Sequence, residues 1–299
     1  MQIGCIYPQV EVESDPGAVR AFAQAAEGMG FAFIEAYDHV VGANRPSPSG
    51  TQRPYNLDSP FHEPLVLFSY MAGITSTIGF ATGIMILPQR QAALVAKQAA
   101  CLDVLSNGRF RMGIGTGWNE VEYEALGMDF ASRGARMGEQ VEFMRELWTR
   151  REVTFTGEFN RIEEAGIWPL PVQRPIPVWF GGASDRPYFG EKAKMGVLRR
   201  IARLGDGWIQ QTMPRERTVE LIGIFHEMIR EYGRDPARIG VETRLETGSI
   251  PEADWGRAAE DWQGTGITHV AVNTMLGGLV GMDAHIKRLE AFRKQVPAA

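Results

Sequence analysis

The residues best suited to chemistry in this chain stand at the ends of short apolar runs. Asp38-His39 follows the run Ala32 to Tyr37 and joins a carboxylate to an imidazole, whose charge changes near neutral pH, so the dipeptide can hold or move a proton. Successive strand residues point to opposite faces, so the two need not bond each other. His39 is one of five histidines, and a packed or solvated ring is its alternative use. Thr82-Gly83-Ile84 closes another run, and Gly113-Ile114-Gly115-Thr116-Gly117-Trp118-Asn119 a third. That glycine run misses dinucleotide-binding spacing because Trp118 occupies the last glycine's place. It makes a turn that needs glycine's dihedrals, or it lets a flat cofactor lie on bare backbone. Gly181-Gly182-Ala183-Ser184 offers amides and a hydroxyl to an ordinary turn or to a phosphate. Arg199 and Arg200 downstream supply countercharge or simply face water. Asp206-Gly207-Trp208 is the fifth such place.

Other chemistries lack their residues. No H-E-x-x-H, G-x-S-x-G, P-loop or clustered Cys/His pattern occurs, and His62, His226, His269 and His285 are scattered, so no metal site is expected. Two cysteines, Cys5 and Cys101, are too few for a disulfide scaffold. A formal charge of -5 argues against nucleic-acid binding, which draws on clustered Lys and Arg. No basic leader or run of about 18 apolar residues appears. The expectation is a cytoplasmic protein with a small-molecule substrate and no membrane or nucleic-acid partner.

The elements that must position these residues alternate. Apolar strand-like runs at Ile3 to Tyr7, Ala32 to Tyr37, Ile78 to Met85, Phe110 to Ile114, Val178 to Phe180, Gly207 to Gln210, Val241 to Leu245 and His269 to Val272 are separated by helical segments. The helices read Asp15 to about Met29, Pro64 to Ile74, Ala92 to Ser106, one carrying Met137, Val141, Met144 and Trp148 on a single face, one ending near Leu204, then Thr218 to Tyr232, Glu252 to Trp262 and Ala284 to Val296. Eight such units predict a single-domain (β/α)8 TIM barrel spanning 1–299, since closure leaves no exposed edge. Two insertions interrupt it: Gly42 to about Pro60 after strand 2, predicted to cover the mouth, and Glu152 to Pro177 after strand 4, with a hairpin at Val153 to Ile162. In a barrel the chemistry lies at the strands' C-terminal ends. Tyr7, Tyr37, Met85, Trp118 and Trp208 are the expected mouth residues and suit something partly apolar or flat.

Taken together, Gly113 to Gly127, Arg133, Glu139, Leu147-Trp148, Pro169 to Pro175, Gly181-Gly182 and Leu198 to Trp208 resemble the luciferase-like monooxygenase superfamily, and within it the coenzyme F420-dependent oxidoreductases. The resemblance spans nearly the whole chain. It implies a barrel that holds F420, or alternatively FMN, over its C-terminal mouth. It places Asp38 and His39 beside the reactive ring, with the histidine assigned to proton transfer. A bulge with a non-prolyl cis peptide at Gly83-Ile84, after Thr82, backs the ring; Gly115, Thr116, Gly117, Trp118 and Asn119 line the cofactor; Gly181, Gly182, Ala183 and Ser184 bind its phosphate. A homodimer through the second and third helices is the family's usual state.

Two departures bear on function. The extra residues Asp185 to Lys192 separate Ser184 from Arg199 and put the latter's phosphate role in question. Trp118 stands where sugar-phosphate dehydrogenases of the family carry a carboxylate, which disfavours a sugar-phosphate substrate. The expected activity is hydride transfer between F420 and a small organic substrate. Its rivals are an FMN-dependent monooxygenase and a non-catalytic flavin-binding protein.

Overall fold

The computed structural model describes residues 1–12, 15–44, 55–184, 190–211 and 213–298. Its strands and helices run β1 Gln2–Ile6, α1 Pro16–Gly28, β2 Phe33–Ala36, α2 Pro64–Ala72, β3 Gly79–Thr82, β4 Met85–Ile86, α3 Ala92–Leu105, β5 Phe110–Gly115, α4 Glu120–Ala125, α5 Arg133–Thr149, β6 Val153–Thr156, β7 Arg161–Ala165, β8 Val178–Gly182, α6 Glu191–Leu204, β9 Gly207–Gln210, α7 Arg215–Glu231, β10 Gly240–Glu246, α8 Trp255–Glu260, β11 His269–Asn273 and α9 Met282–Gln295. All barrel pairings are parallel, in the order β3-β2-β1-β11-β10-β9-β8-β5-β4, and β3 also pairs with β5. That last pairing closes the eight-stave barrel, the third stave being β3 continued by β4. The second insertion is the antiparallel β6–β7 hairpin.

Local chemistry sets the helix starts. Asp15 accepts the Ala18 amide at 2.8 Å and Glu63 the Val66 amide at 2.8 Å, each followed by a proline where no donor is missed. The structure breaks the predicted strand Ile78 to Met85 in two. Thr82 turns its hydroxyl to the Gly113 carbonyl at 2.6 Å, while the Thr82 carbonyl lies 1.9 Å from where a Cβ on Gly113 would stand. Only glycine admits that approach. The Gly83-Ile84 peptide that follows is cis, as the resemblance implied. No helix among the described residues is long and apolar enough to cross a membrane.

The barrel's interior is polar at its centre. Glu242, Arg244 and Glu246 alternate with Val241, Thr243 and Leu245 along β10; such alternation on an open sheet faces water, but here both faces are covered and the charges point into the lumen. Arg111 bonds Glu242, and stacks on Phe33 and Trp179 with its guanidinium carbon 4.6 Å and 4.1 Å from the ring centroids. His269 lies edge-on to Trp179 at 4.7 Å. Burial, then the Arg111 charge, depress its pKa to about 4 from an ordinary 6.5. A histidine held neutral in the fold binds its proton more readily once unfolded, so its contribution is complete above about pH 6.5 and is lost as pH falls toward 4. The expected outcome is that urea midpoints of the wild type drop more steeply across that window than those of His269→Gln; parallel curves would remove this assignment.

Candidate functional site

Asp38 and His39 leave β2 in opposite directions. Asp38 is buried; one oxygen accepts the Ile86 amide at 2.9 Å and the other pairs with Arg90 at 2.7 Å, whose second nitrogen reaches Glu63 at 3.0 Å. Burial works against the Arg90 charge, yet these two carboxylates outweigh it and raise its pKa. Asp38 thus ties the end of β2 to β4, and its carboxylate is fully engaged in doing so.

His39 faces the other way. Its Nδ1 lies 3.1 Å from the carboxylate of Glu122, a fully buried residue in α4. The other Glu122 oxygen accepts the amides of Val40 at 2.6 Å and Val41 at 3.2 Å, so one carboxylate fixes both the ring and the backbone carrying it. Tyr55, Phe61 and Trp118 surround the imidazole at centroid distances of 5.1, 5.0 and 5.4 Å. With Nδ1 held by Glu122, Nε2 is the nitrogen left for the cleft.

That cleft measures about 690 Å³, counting space open to solvent, and lies at the strands' C-terminal ends. Ile84, Ile86 and Gly117 form an apolar floor, Tyr37, Tyr55 and Trp118 contribute aromatic walls, and His39, Gln211 and Arg244 are polar. The glycines work differently from the bare-backbone reading. A Cβ on Gly115 would meet Ile84 at 2.8 Å, one on Gly181 would meet it at 2.7 Å, and one on Gly117 would meet Ile86 at 2.8 Å. Their missing side chains make room for two isoleucines, which present the flat apolar surface in their stead. Gly117 also has φ of +62°, which favours glycine.

The remaining sequence candidates serve the frame or lie apart. Thr82 is the clip to β5. Thr116 accepts the Tyr123 hydroxyl at 2.8 Å, and Asn119 donates to the Val41 carbonyl at 3.1 Å, joining α4 to the segment behind His39. Gly182 and Ala183 have φ of +146° and +59°, and Trp208 donates to the Gly182 carbonyl at 3.0 Å, so the turn ending in Ser184 is fixed from below. Arg199 is exposed and pairs with Glu231 of α7 at 3.0 Å. Asp206 stands at the opposite end of β9 from the mouth, where it accepts from Arg145 and the Val178 amide; the strand's mouth end is Gln210-Gln211. Of the five expected mouth residues, Tyr37 and Trp118 line the cleft, whereas Tyr7, Met85 and Trp208 pack in the core. Residues 45–54 of the predicted cover lie outside the described residues. Its described ends meet, with the Asn56 carbonyl 2.4 Å from a Cβ on Gly42 and the Leu57 amide on Asn44 at 3.3 Å, and Tyr55 packs on His39.

Sequence reasoning missed Glu122 and the charged lumen. Glu122 stands three residues after Asn119, the spacing of a capping pair, and would have been assigned to its own helix end. Beneath the cleft, Arg244 bonds Glu35 at 3.1 Å and the Gly83 carbonyl at 2.8 Å and lies over Tyr37. The buried carboxyls of Glu35 and Glu242 act on each other's ionisation. Burial and the neighbouring Glu242 push Glu35 well above the usual carboxylate range; Glu242 resists its burial through Arg111 and stays below it.

Known proteins share this architecture and sequence. An uncharacterized protein of Mycobacterium tuberculosis is 32% identical over 291 residues, covering 92% of this chain and 93% of its own. The F420-dependent hydroxymycolic acid dehydrogenase of Mycobacterium tuberculosis is 29% identical, over 82% of this chain and 62% of its own. The pyrimidine monooxygenase RutA of Allorhizobium ampelinum is 32% identical over 62% and 47%. In structure, an F420-dependent secondary alcohol dehydrogenase in complex with an F420-acetone adduct superposes with a TM-score of 0.76 at 19% identity, covering 99% and 98% of the chains, which speaks to the fold. The family model of the luciferase-like monooxygenases matches residues 3–273, and with the barrel and its mouth in place the chain belongs to that family of oxidoreductases.

Proposed function

We propose that this protein transfers a hydride between coenzyme F420 and a carbon bearing a hydroxyl or carbonyl group, with His39 carrying the proton. The observation that supports this most is the orientation of His39 by a buried carboxylate at the edge of an apolar floor. Ile84 and Ile86, seated against glycines, suit a planar ring, and the turn Gly181 to Ser184 suits its phosphate. F420, when bound, supplies the hydride acceptor or donor. The chain's residues do the rest. Glu122 accepts the Nδ1 proton of His39, which leaves Nε2 as a base; Nε2 takes the hydroxyl proton as the carbonyl forms, and returns it in the reverse direction. Tyr55, Phe61 and Trp118 keep water from the ring. Asp38, tied to Arg90 and Ile86, positions the strand end and moves no proton in this scheme.

Glu122→Gln tests the arrangement. The amide oxygen still accepts from Val40 and Val41, but the NH2 now donates to Nδ1 and moves the ring proton to Nε2. We expect kcat to fall about 10²- to 10⁴-fold with coenzyme affinity nearly unchanged, and His39→Ala to match it. Full activity in Glu122→Gln would show that the tautomer does not matter.

FMN with oxygen is the competing reading, and a monooxygenase is among the relatives. The F420-dependent relative matches the larger share of this chain, which favours the deazaflavin. Arg45 and Arg53, weighed with Arg133 and Arg136 for the coenzyme's anionic tail, lie outside the described residues. Arg133 is bound to the Phe130 carbonyl and Arg136 to Pro88 and Ser132. Titrating the protein with each coenzyme and assaying alcohols anaerobically decides: F420 is expected to bind more tightly and turn over without oxygen. Tighter FMN binding with strict oxygen dependence would replace the proposal.

We also propose a homodimer through α2 and α3. These neighbouring helices expose Val66, Tyr70, Leu94 and Leu105, at 67, 38, 53 and 68% of their surface. Wild type is expected to sediment as a dimer and Leu94→Arg as a monomer; a monomeric wild type at micromolar concentration removes the interface.

A further inference from the structure

Arg244 reaches the cleft from β10, three staves around the barrel from β2, which carries His39. A guanidinium stays charged at any pH the fold survives, so its balance depends on its neighbours. Both hydrogen bonds it makes, to Glu35 and to the Gly83 carbonyl, leave from Nη2. Its Nε is buried with no partner, and Nη1 makes no hydrogen bond among the described residues. The side chain keeps 14% of its surface, on the cleft side.

The carboxyls nearest this charge have other demands on them. Glu242 is already paired with Arg111, and burial together with the neighbouring Glu242 pushes Glu35, Arg244's own partner, up, which weakens its hold on the Arg244 charge. Of the other titratable neighbours, His269 is pushed down to about 4, the Tyr37 hydroxyl is pushed up by burial, and Glu246, also raised by burial, is held by Asn273 at 2.7 Å. A partly buried cation with free N–H groups gains more from an oxyanion than from water, because the low dielectric strengthens a charge-assisted hydrogen bond.

We infer that Arg244 is an oxyanion-binding point of the cleft, and that the substrate is a hydroxy or oxo compound carrying a carboxylate or similar acid group. The oxyanion site stands on the geometry above; only the words hydroxy and oxo rest on the proposed function. In the complex the acid group bonds Arg244 Nη1, the substrate's body lies between Trp118 and Tyr37, and its hydroxyl faces His39.

The test uses benzoate as the probe and benzamide as its uncharged counterpart, with binding to the purified protein followed by calorimetry. Benzoate is expected to bind about ten- to a hundredfold more tightly than benzamide, and Arg244→Met to abolish that difference while leaving benzamide unchanged. Arg244→Lys should retain part of it. Removing Arg244 disturbs the lumen, so Glu35→Gln/Arg244→Met, which removes its ion-pair partner with it, is measured alongside; circular dichroism and thermal midpoints verify that each variant folds. Equal binding of benzoate and benzamide, or undiminished benzoate binding by a folded Arg244→Met, overturns the site. Displacement of benzoate by F420 would assign the oxyanion to the coenzyme and overturn the substrate class. These readouts need no turnover, so inactivity with F420 would sink the proposed function and leave the oxyanion site standing.

Discussion

A carboxyl enclosed by strands on every side is costly to keep ionised; burial and the neighbouring Glu242 push Glu35 up, and a hydrogen bond from Arg244 holds it in place. The arrangement constrains what lies above it. The Glu35 carboxyl stands 2.0 Å from where a Cβ on residue 83 would be, so that position must be glycine. Arg244 binds the Gly83 carbonyl, which fixes the backbone at the point where β3 gives way to β4. Ile84 then enters the space left by Gly115 and Gly181, and Ile86 the space left by Gly117. The floor of the cleft is thus a consequence of buried charge one layer below.

A second constraint acts from the side. Asp38 and His39 are adjacent, but the alternation of strand side chains sends one toward Arg90 and β4 and the other toward Glu122 and the cleft. Asp38 takes its donors from Ile86 and Arg90, and Glu122 takes its donors from the segment His39 to Val41, so the end of β2 is tied at once to the third stave and to α4. The imidazole inherits its tautomer and its direction from Glu122, whose burial leaves it no competing water. Division of labour between two neighbouring residues follows from geometry alone, before any ligand is considered.

Much of the fold was legible. The eight apolar runs all form staves, because a buried parallel strand shows itself as a short β-branched and aromatic run whatever its neighbours, and the hairpin at Val153 showed itself by the turn residues Thr156 and Gly157. The break at Gly83 was foreseen only through family resemblance, since the reason for it, the Glu35 carboxyl, lies on another strand. Helix ends shifted by up to three residues, as at the starts of α7 and α8. The cleft was legible in part: Asp38, His39, Gly83, Ile84, Gly117 and Trp118 line it. Arg199 was weighed as countercharge for a phosphate at Ser184, with its altered spacing already putting that role in question; on its helix it faces Glu231 and solvent.

Glu122 and Arg244 were missed for a shared physical reason. Charged residues in amphipathic patterns are assigned to water, and on a helix in a protein this size that is usually correct. The signal that would have exposed the β10 charges is the conflict between two patterns: alternation of Glu242, Arg244 and Glu246 implies one wet face, yet a stave of a closed barrel covered by helices has none. Three ionisable groups on such a strand must therefore face the lumen, and they must find partners on other staves, as Arg111 on β5 and Glu35 on β2 provide. Of the three, Glu242 faces Arg111, Glu246 is held by Asn273, and Arg244 between them reaches the cleft. Arg244 is therefore part of the scaffold and part of the cleft at once, and the requirement for buried charge compensation places a cation where a ligand can meet it.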